Sequence, residues 1–215
     1  MVTICPSIAS ANPIDIKGEI SRLGSMETKL HIDVEDGNYL SNISFGLKTV
    51  KAITEFTKAE CDVHITATNP MQYIAPLAEM GVKAVCFHYE LMTHPAEALG
   101  YIRSLGMKAG LALSFKTAPE QLEMFADKMD YLLFMTAEPD WQGEMFNPTI
   151  LPRIKRARAM LPPEVSIWAD GCIDEHNFLQ VLDSGADTVV MGRAVWKKPD
   201  PQQAVKQYYE MAQNR

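Results

Sequence analysis

Short runs rich in β-branched and apolar residues recur along the chain, at positions 3–9, 29–34, 61–66, 84–88, 108–114, 131–136, 165–169 and 188–191. Between them the apolar positions widen to helical spacing, as at Ile14, Ile16, Ile20 and Leu23, or at Met71, Ile74, Leu77 and Met80. Proline marks plausible helix starts at Asn69-Pro70, His94-Pro95, Ala118-Pro119 and Asn147-Pro148, and Gly24, Gly81, Gly106 and Gly185 follow plausible helix ends. Successive runs begin 23 to 34 residues apart, and the alternation of strand and helix never breaks. Eight such units with parallel strands predict an α/β fold of the (β/α)8 TIM-barrel type. An open doubly wound sheet usually has fewer strands and often a glycine-rich dinucleotide loop, which this sequence lacks. No Ser/Gly-rich linker interrupts the pattern, so a single barrel domain over residues 1–215 is expected.

Barrels of this kind carry their chemistry at the C-terminal ends of the strands. Side chains alternate along a strand, so His31, Asp33 and Glu35 share one face of the second strand. His64 alternates in the same way with Val63 and Ile65 near the end of the third, and Asp170 ends the seventh. Two imidazoles and two carboxylates meeting at one mouth form a mixed nitrogen and oxygen set suited to one divalent ion. Zinc is the first expectation, with manganese, iron or cobalt as alternatives. Barrel phosphate sites use backbone N–H groups after strands seven and eight, where Gly171-Cys172 and Gly192-Arg193 stand. Arg193 would add a forked positive charge for an anion.

Composition removes other classes. With 47% hydrophobic and 22% charged residues the chain is globular. Its 27 acidic and 20 basic side chains give a net charge of −7 without a block of Lys or Arg, which argues against nucleic acid or an anionic membrane as a partner. No apolar stretch approaches the roughly 20 residues of a membrane span, and no signal-like start is seen, so a cytoplasmic protein is expected. The four cysteines, at 5, 61, 86 and 172, are scattered without a CxxC pair and are expected to be reduced thiols.

The sequence resembles the ribulose-phosphate 3-epimerase family from Cys5-Pro6-Ser7 to Gly192-Arg193-Ala194. Matching pieces include His31-Ile32-Asp33 with Asp36-Gly37 and Asn42, Asp62-Val63-His64, Phe87-His88-Tyr89-Glu90, Thr117-Ala118-Pro119, Met135-Thr136 with Pro139, and Asp170-Gly171. The resemblance implies a ribulose-phosphate-binding barrel and a metal-dependent 3-epimerase of a ketose phosphate, either a pentulose or a hexulose phosphate. It implies a metal held by His31, Asp33, His64 and Asp170, with Asp33 and Asp170 also the acid/base pair. Inverting a carbon beside a ketone needs a proton removed on one face and returned on the other, which suits two carboxylates. Ser7, His64, Gly143, Gly171, Cys172, Gly192 and Arg193 are the implied substrate contacts.

The chain also departs from the family. Arg193 stands where serine is usual and Cys172 where glycine is usual. After strand six the family pattern Pro-Gly-Phe-Gly-Gly-Gln is replaced by Pro139-Asp140-Trp141-Gln142-Gly143-Glu144. At three positions where the family tends to place methionines around the metal, this chain has Glu35, Thr66 and Met135. Glu35, Thr66, Met135 and Asp140 are therefore the expected specificity positions, with Glu35 and Thr66 touching a hydroxyl or the groups around the metal. Two alternatives stand beside the epimerase: a lyase or decarboxylase of a related phosphate-binding barrel, and a sugar-phosphate-binding barrel without activity. Against the first, no lysine follows Asp33 in an Asp-x-Lys pattern; against the second, all four ligand and acid/base side chains are present. His88 and Glu90 are expected to be structural, with a place among the groups around the metal's ligands as the alternative. The final amphipathic stretch, 202–215, reads as the last barrel helix, with an exposed side available for a homo-oligomer contact.

Overall fold

A computed structural model describes residues 2–138 and 145–215. Eight strands, β1 (Thr3–Pro6), β2 (Lys29–Glu35), β3 (Glu60–Thr66), β4 (Ala84–His88), β5 (Lys108–Leu113), β6 (Tyr131–Met135), β7 (Ser166–Asp170) and β8 (Thr188–Met191), form one parallel sheet. It runs β1-β8-β7-β6-β5-β4-β3-β2, and a parallel bridge between Ser7 and His31 brings the two ends together. This is the (β/α)8 barrel the strand spacing predicts.

Around the sheet lie α1 (Ile16–Arg22), α2 (Leu47–Phe56), α3 (Met71–Glu79), α4 (Pro95–Ser104), α5 (Leu151–Met160), α6 (Phe178–Asp183), α7 (Arg193–Trp196) and α8 (Pro201–Gln213). The two faces of each strand have different company. Leu30, Ile32, Val34, Val63, Ile65, Leu132, Phe134 and Ile167 face outward and pack with Ile20, Ile74, Leu99, Ile154 and Val205 of the helices in one buried core. A smaller cluster fills the barrel itself, where Cys5, Cys86, Leu133 and Val190 surround Tyr131 and Trp168, whose rings stack at 4.5 Å. Burying both faces is what makes these parallel strands so uniformly apolar. Toward the C-terminal rim the inner face turns polar, where His31, Asp33, His64 and Asp170 stand.

Three local readings differ from the sequence pattern, each for a physical reason. The first run ends its strand at Pro6 and tightens into a 3-10 helix, Ile8–Ser10, that buries Ile8. Ile14 is 94% exposed and outside α1, because Asp15 caps that helix by accepting from the Gly18 N–H. The segment after Pro119 is a 3-10 helix, Pro119–Phe125, in which Pro119, Leu122 and Phe125 bury at three-residue spacing. The last helix forms where expected, with Asp200 as its cap and Val205 and Tyr208 buried. Cys5, Cys61 and Cys86 are buried free thiols, and Cys172 is half-buried.

Candidate active site

The strand register sets the geometry of the inner face. Asp33 pairs with His64, His31 with Asp62 and Glu35 with Thr66 across β2 and β3, while Met135 pairs with Asp170 across β6 and β7. Four of these side chains meet: one donor atom each from His31, Asp33, His64 and Asp170 lies within 4.8 Å of all the others. His31 Nε2 is 3.2 Å from Asp33 Oδ1 and 3.6 Å from Asp170 Oδ2, and His64 Nδ1 is 3.2 Å from the same Asp33 oxygen. The Ser7 hydroxyl donates to Asp33 Oδ2 at 3.0 Å. Asp33 and Asp170 are thus close enough to share an ion, as the sequence requires of them.

One carboxylate that sequence reasoning gave no role completes the arrangement. Asp62, 4% exposed, accepts from His31 Nδ1 at 2.5 Å through one oxygen and from the Cys5 thiol at 3.2 Å through the other. It alternates with His64 on β3, and that period-two signal alone would have placed it inside. With its proton committed to Asp62, a neutral His31 turns a bare Nε2 lone pair toward two carboxylates. Three acceptors facing one another need a cation or a proton between them, so the donor set fits a divalent ion.

With no cation between them, the electrostatics place a proton on His31 instead. Burial disfavours the charged form of His31, but the Asp62 and Asp33 carboxylates outweigh it and hold its pKa well above the usual range. Burial alone would raise Asp33, yet the His31 and His64 rings beside it hold that carboxyl low. Asp170, buried and near the Asp33 charge, is pushed up to about 6. A carboxyl raised from 3.8 to about 6 lends stability that is complete below the lower value and lost as pH rises through the higher one. In chelator-treated protein the melting temperature of the wild type, relative to Asp170→Asn, should therefore fall across that pH interval. A constant difference between the two across the same interval would contradict it.

Above these groups opens a cavity of about 860 Å³, walled by Ser7, Asp33, Glu35, Asn42, Met135, Asp170, Gly171, Cys172, Gly192 and Arg193 among others. At its β7–β8 side Gly171 has φ +121° and Gly192 caps α7. An added Cβ would meet Ala137 N at 2.8 Å at the first and Ser10 Oγ at 2.3 Å at the second, so only glycine lets the backbone come this close. Cys172 has φ +54°, rare for a side-chain-bearing residue, and its Sγ accepts from Arg193 Nη2 at 2.9 Å. Lys197 and His176 also line this end. At the opposite edge of the Asp33 side, Asn42 Nδ2 donates to Glu35 Oε2 at 2.5 Å, and burial together with the Asp33 charge raises the Glu35 pKa.

Most expected residues are thus brought together. His64 is buried in the four-residue cluster but does not line the cavity, and Thr66, 2% exposed, does not reach it although it pairs with Glu35. Asp140 and Gly143 lie outside the described residues, as do Pro139, Trp141 and Gln142. No helix among the described residues is long and apolar enough to cross a membrane.

Two comparisons with solved structures concern the fold. Orotidine 5'-phosphate decarboxylase from Pyrococcus horikoshii OT3 superposes with a TM-score of 0.70 at 13% identity, covering 97% of this chain and 98% of that one. Thiamine phosphate pyrophosphorylase from Pyrococcus furiosus gives 0.67 at 14%, covering 99% and 96%. Sequence relatives are nearer. A ribulose-phosphate 3-epimerase of Synechocystis is 33% identical over 95% of this chain and 91% of its own length. One from Schizosaccharomyces pombe is 32% identical over 94% and 90%, and one from Bacillus subtilis 30% over 96% and 98%. The model of the ribulose-phosphate 3 epimerase family matches residues 3–196, which include every strand of the barrel, and the chain belongs to that family.

Proposed function

We propose that the protein is a metal-dependent 3-epimerase of a ketose phosphate, acting as one barrel domain in the cytoplasm. The observation that carries this reading is the convergence of Asp33 and Asp170, from β2 and β7, on His31 Nε2 at the floor of an open cavity. His31, Asp33, His64 and Asp170 would hold one divalent ion, zinc before manganese, iron or cobalt. When bound, such an ion supplies Lewis-acid stabilisation of the negative charge that builds on the substrate oxygens.

The chain's own groups divide the proton work. Asp33, kept ionised by its imidazole neighbours, takes the proton from C3 on one face. Asp170, whose buried carboxyl keeps a proton more readily, returns one on the other face, and the roles exchange in the reverse direction. Ser7 Oγ holds Asp33 from the side and stands at the cavity wall, where it can also reach a substrate hydroxyl. The backbone at Gly171-Cys172 and Gly192-Arg193 receives the phosphate, with the Arg193 fork as an added donor. Glu35 and Met135, on the walls, face the sugar and select among ketose phosphates.

Deuterium incorporation at C3 in heavy water, measured across pentulose and hexulose phosphates with metal analysis of the same sample, tests reaction and specificity together. Exchange at C3 in none of them would defeat the reading. Arg193→Gln should raise KM for a phosphorylated ketose by roughly 10- to 100-fold with little change in kcat, the worth of one charge-assisted hydrogen bond. An unchanged KM would remove Arg193 from the phosphate site.

A further inference from the structure

Each imidazole of the cluster turns one nitrogen toward the carboxylates and one away. For His31 the nitrogen turned away is satisfied by Asp62. For His64 it is not: Nδ1 faces Asp33 Oδ1, and the buried Nε2 has no hydrogen-bond partner among the described residues. With Nδ1 given over to a cation, the ring's only proton stands on Nε2, and a buried donor left unpaired costs about 1–3 kcal/mol.

The next ring inward is His88, at the end of β4, whose centroid lies 4.9 Å from that of His64 with a 35° tilt. His88 is fully buried, and its Nδ1 lies 3.4 Å from Glu90 Oε2 and 3.3 Å from the Tyr39 hydroxyl. A carboxylate only accepts, so Nδ1 carries the His88 proton and Nε2 is left as a lone pair. That Nε2 is also buried and without a partner. An orphan donor and an orphan acceptor therefore occupy adjacent rings. Glu90 is itself held, since its Oε1 accepts from the Ser114 N–H at 3.0 Å, from the Ser114 hydroxyl at 2.8 Å and from the Thr117 hydroxyl.

We propose that His88 is a positioning residue for the cluster: its Nε2 accepts the His64 Nε2–H, after a small ring rotation or through one enclosed water, and so fixes the tautomer that presents Nδ1 beside Asp33. Glu90, His88 and His64 then form a relay of orientation, the counterpart for the second imidazole of what Asp62 does for the first. The inference rests on the reading that the cluster holds a cation. Partners of ligating imidazoles typically set metal affinity within about 10–100-fold.

Zinc affinity and histidine 15N spectra of the zinc-loaded protein test it without substrate. In the wild type His64 should carry its proton on Nε2 and His88 on Nδ1. His88→Phe, which keeps an aromatic ring and removes the acceptor, should weaken zinc roughly 10- to 100-fold, and His88→Gln, whose amide oxygen can accept, should recover part of the loss. A wild-type His88 protonated on Nε2, or zinc affinity in His88→Phe within about twofold of wild type, overturns the proposal. Should His88→Phe fail to fold, the wild-type tautomers still decide. A wild type that binds no zinc, manganese, iron or cobalt overturns the metal-dependent reading as well, whereas tight wild-type binding with an indifferent His88→Phe overturns the relay alone.

Discussion

Asp170→Asn is expected to end epimerisation at C3 of a ketose phosphate, lowering kcat by roughly 10²–10⁴-fold, the usual worth of a positioned acid or base, while exchange of the C3 hydrogen facing Asp33 persists. The substitution keeps size and shape, and Asp170 is only partly exposed at the rim, so the barrel should fold and the sugar phosphate should still bind. What disappears is a buried inward carboxyl whose proton affinity burial and the Asp33 charge raise, the group that would return the proton on the second face. Asp33 cannot take over, since in the proposed mechanism it serves the other face of C3. Epimerisation and exchange followed by NMR in heavy water, with binding measured by calorimetry on the same variant, separate loss of chemistry from loss of affinity. Wild-type epimerisation by Asp170→Asn would end the two-aspartate assignment.

Asp62→Asn should weaken binding of the divalent ion by roughly 10- to 100-fold without altering any of the four side chains that would hold it. Both Asp62 oxygens are occupied, one by His31 Nδ1 and one by the Cys5 thiol. An asparagine has one acceptor for those two donors, so it must leave one of them unpaired in a buried place. It also removes the negative charge that raises the basicity of the His31 ring. Zinc titration against a competing chelator reads the loss directly, and an affinity within about twofold of wild type would reduce Asp62 to core filling.

Much of this was legible along the chain because strands alternate. His31 and Asp33 on β2, His64 on β3 and Asp170 on β7 all follow from which residues share a face and from the rule that barrel chemistry sits at strand ends. Alternation gives the face but not the depth. Glu35 and Thr66 have the same phase and pair in register, yet Glu35 reaches the cavity and Thr66 does not. How deep a residue lies depends on the tilt and stagger of all eight strands together, which no local window contains. The surroundings of His88 were illegible for a related reason. Its neighbours Tyr39, His64 and Ser114 come from three other segments, and the unpaired nitrogens have no meaning until those segments meet.

The lateral joints of the barrel are unequal. Seven neighbouring strand pairs share ladders of three to seven residues, whereas β1 and β2 touch through the lone Ser7–His31 bridge. Beside that seam the Ser7 hydroxyl reaches Asp33, its carbonyl accepts from the Trp196 indole at 2.5 Å, and the Cys5 thiol reaches Asp62 on β3. The thinnest stitch of the cylinder thus runs beside the residues proposed to do the chemistry. Parting the first two staves would therefore move Ser7 and His31 before the longer ladders give, and a cation held by Asp33 and His31 would help to close the barrel.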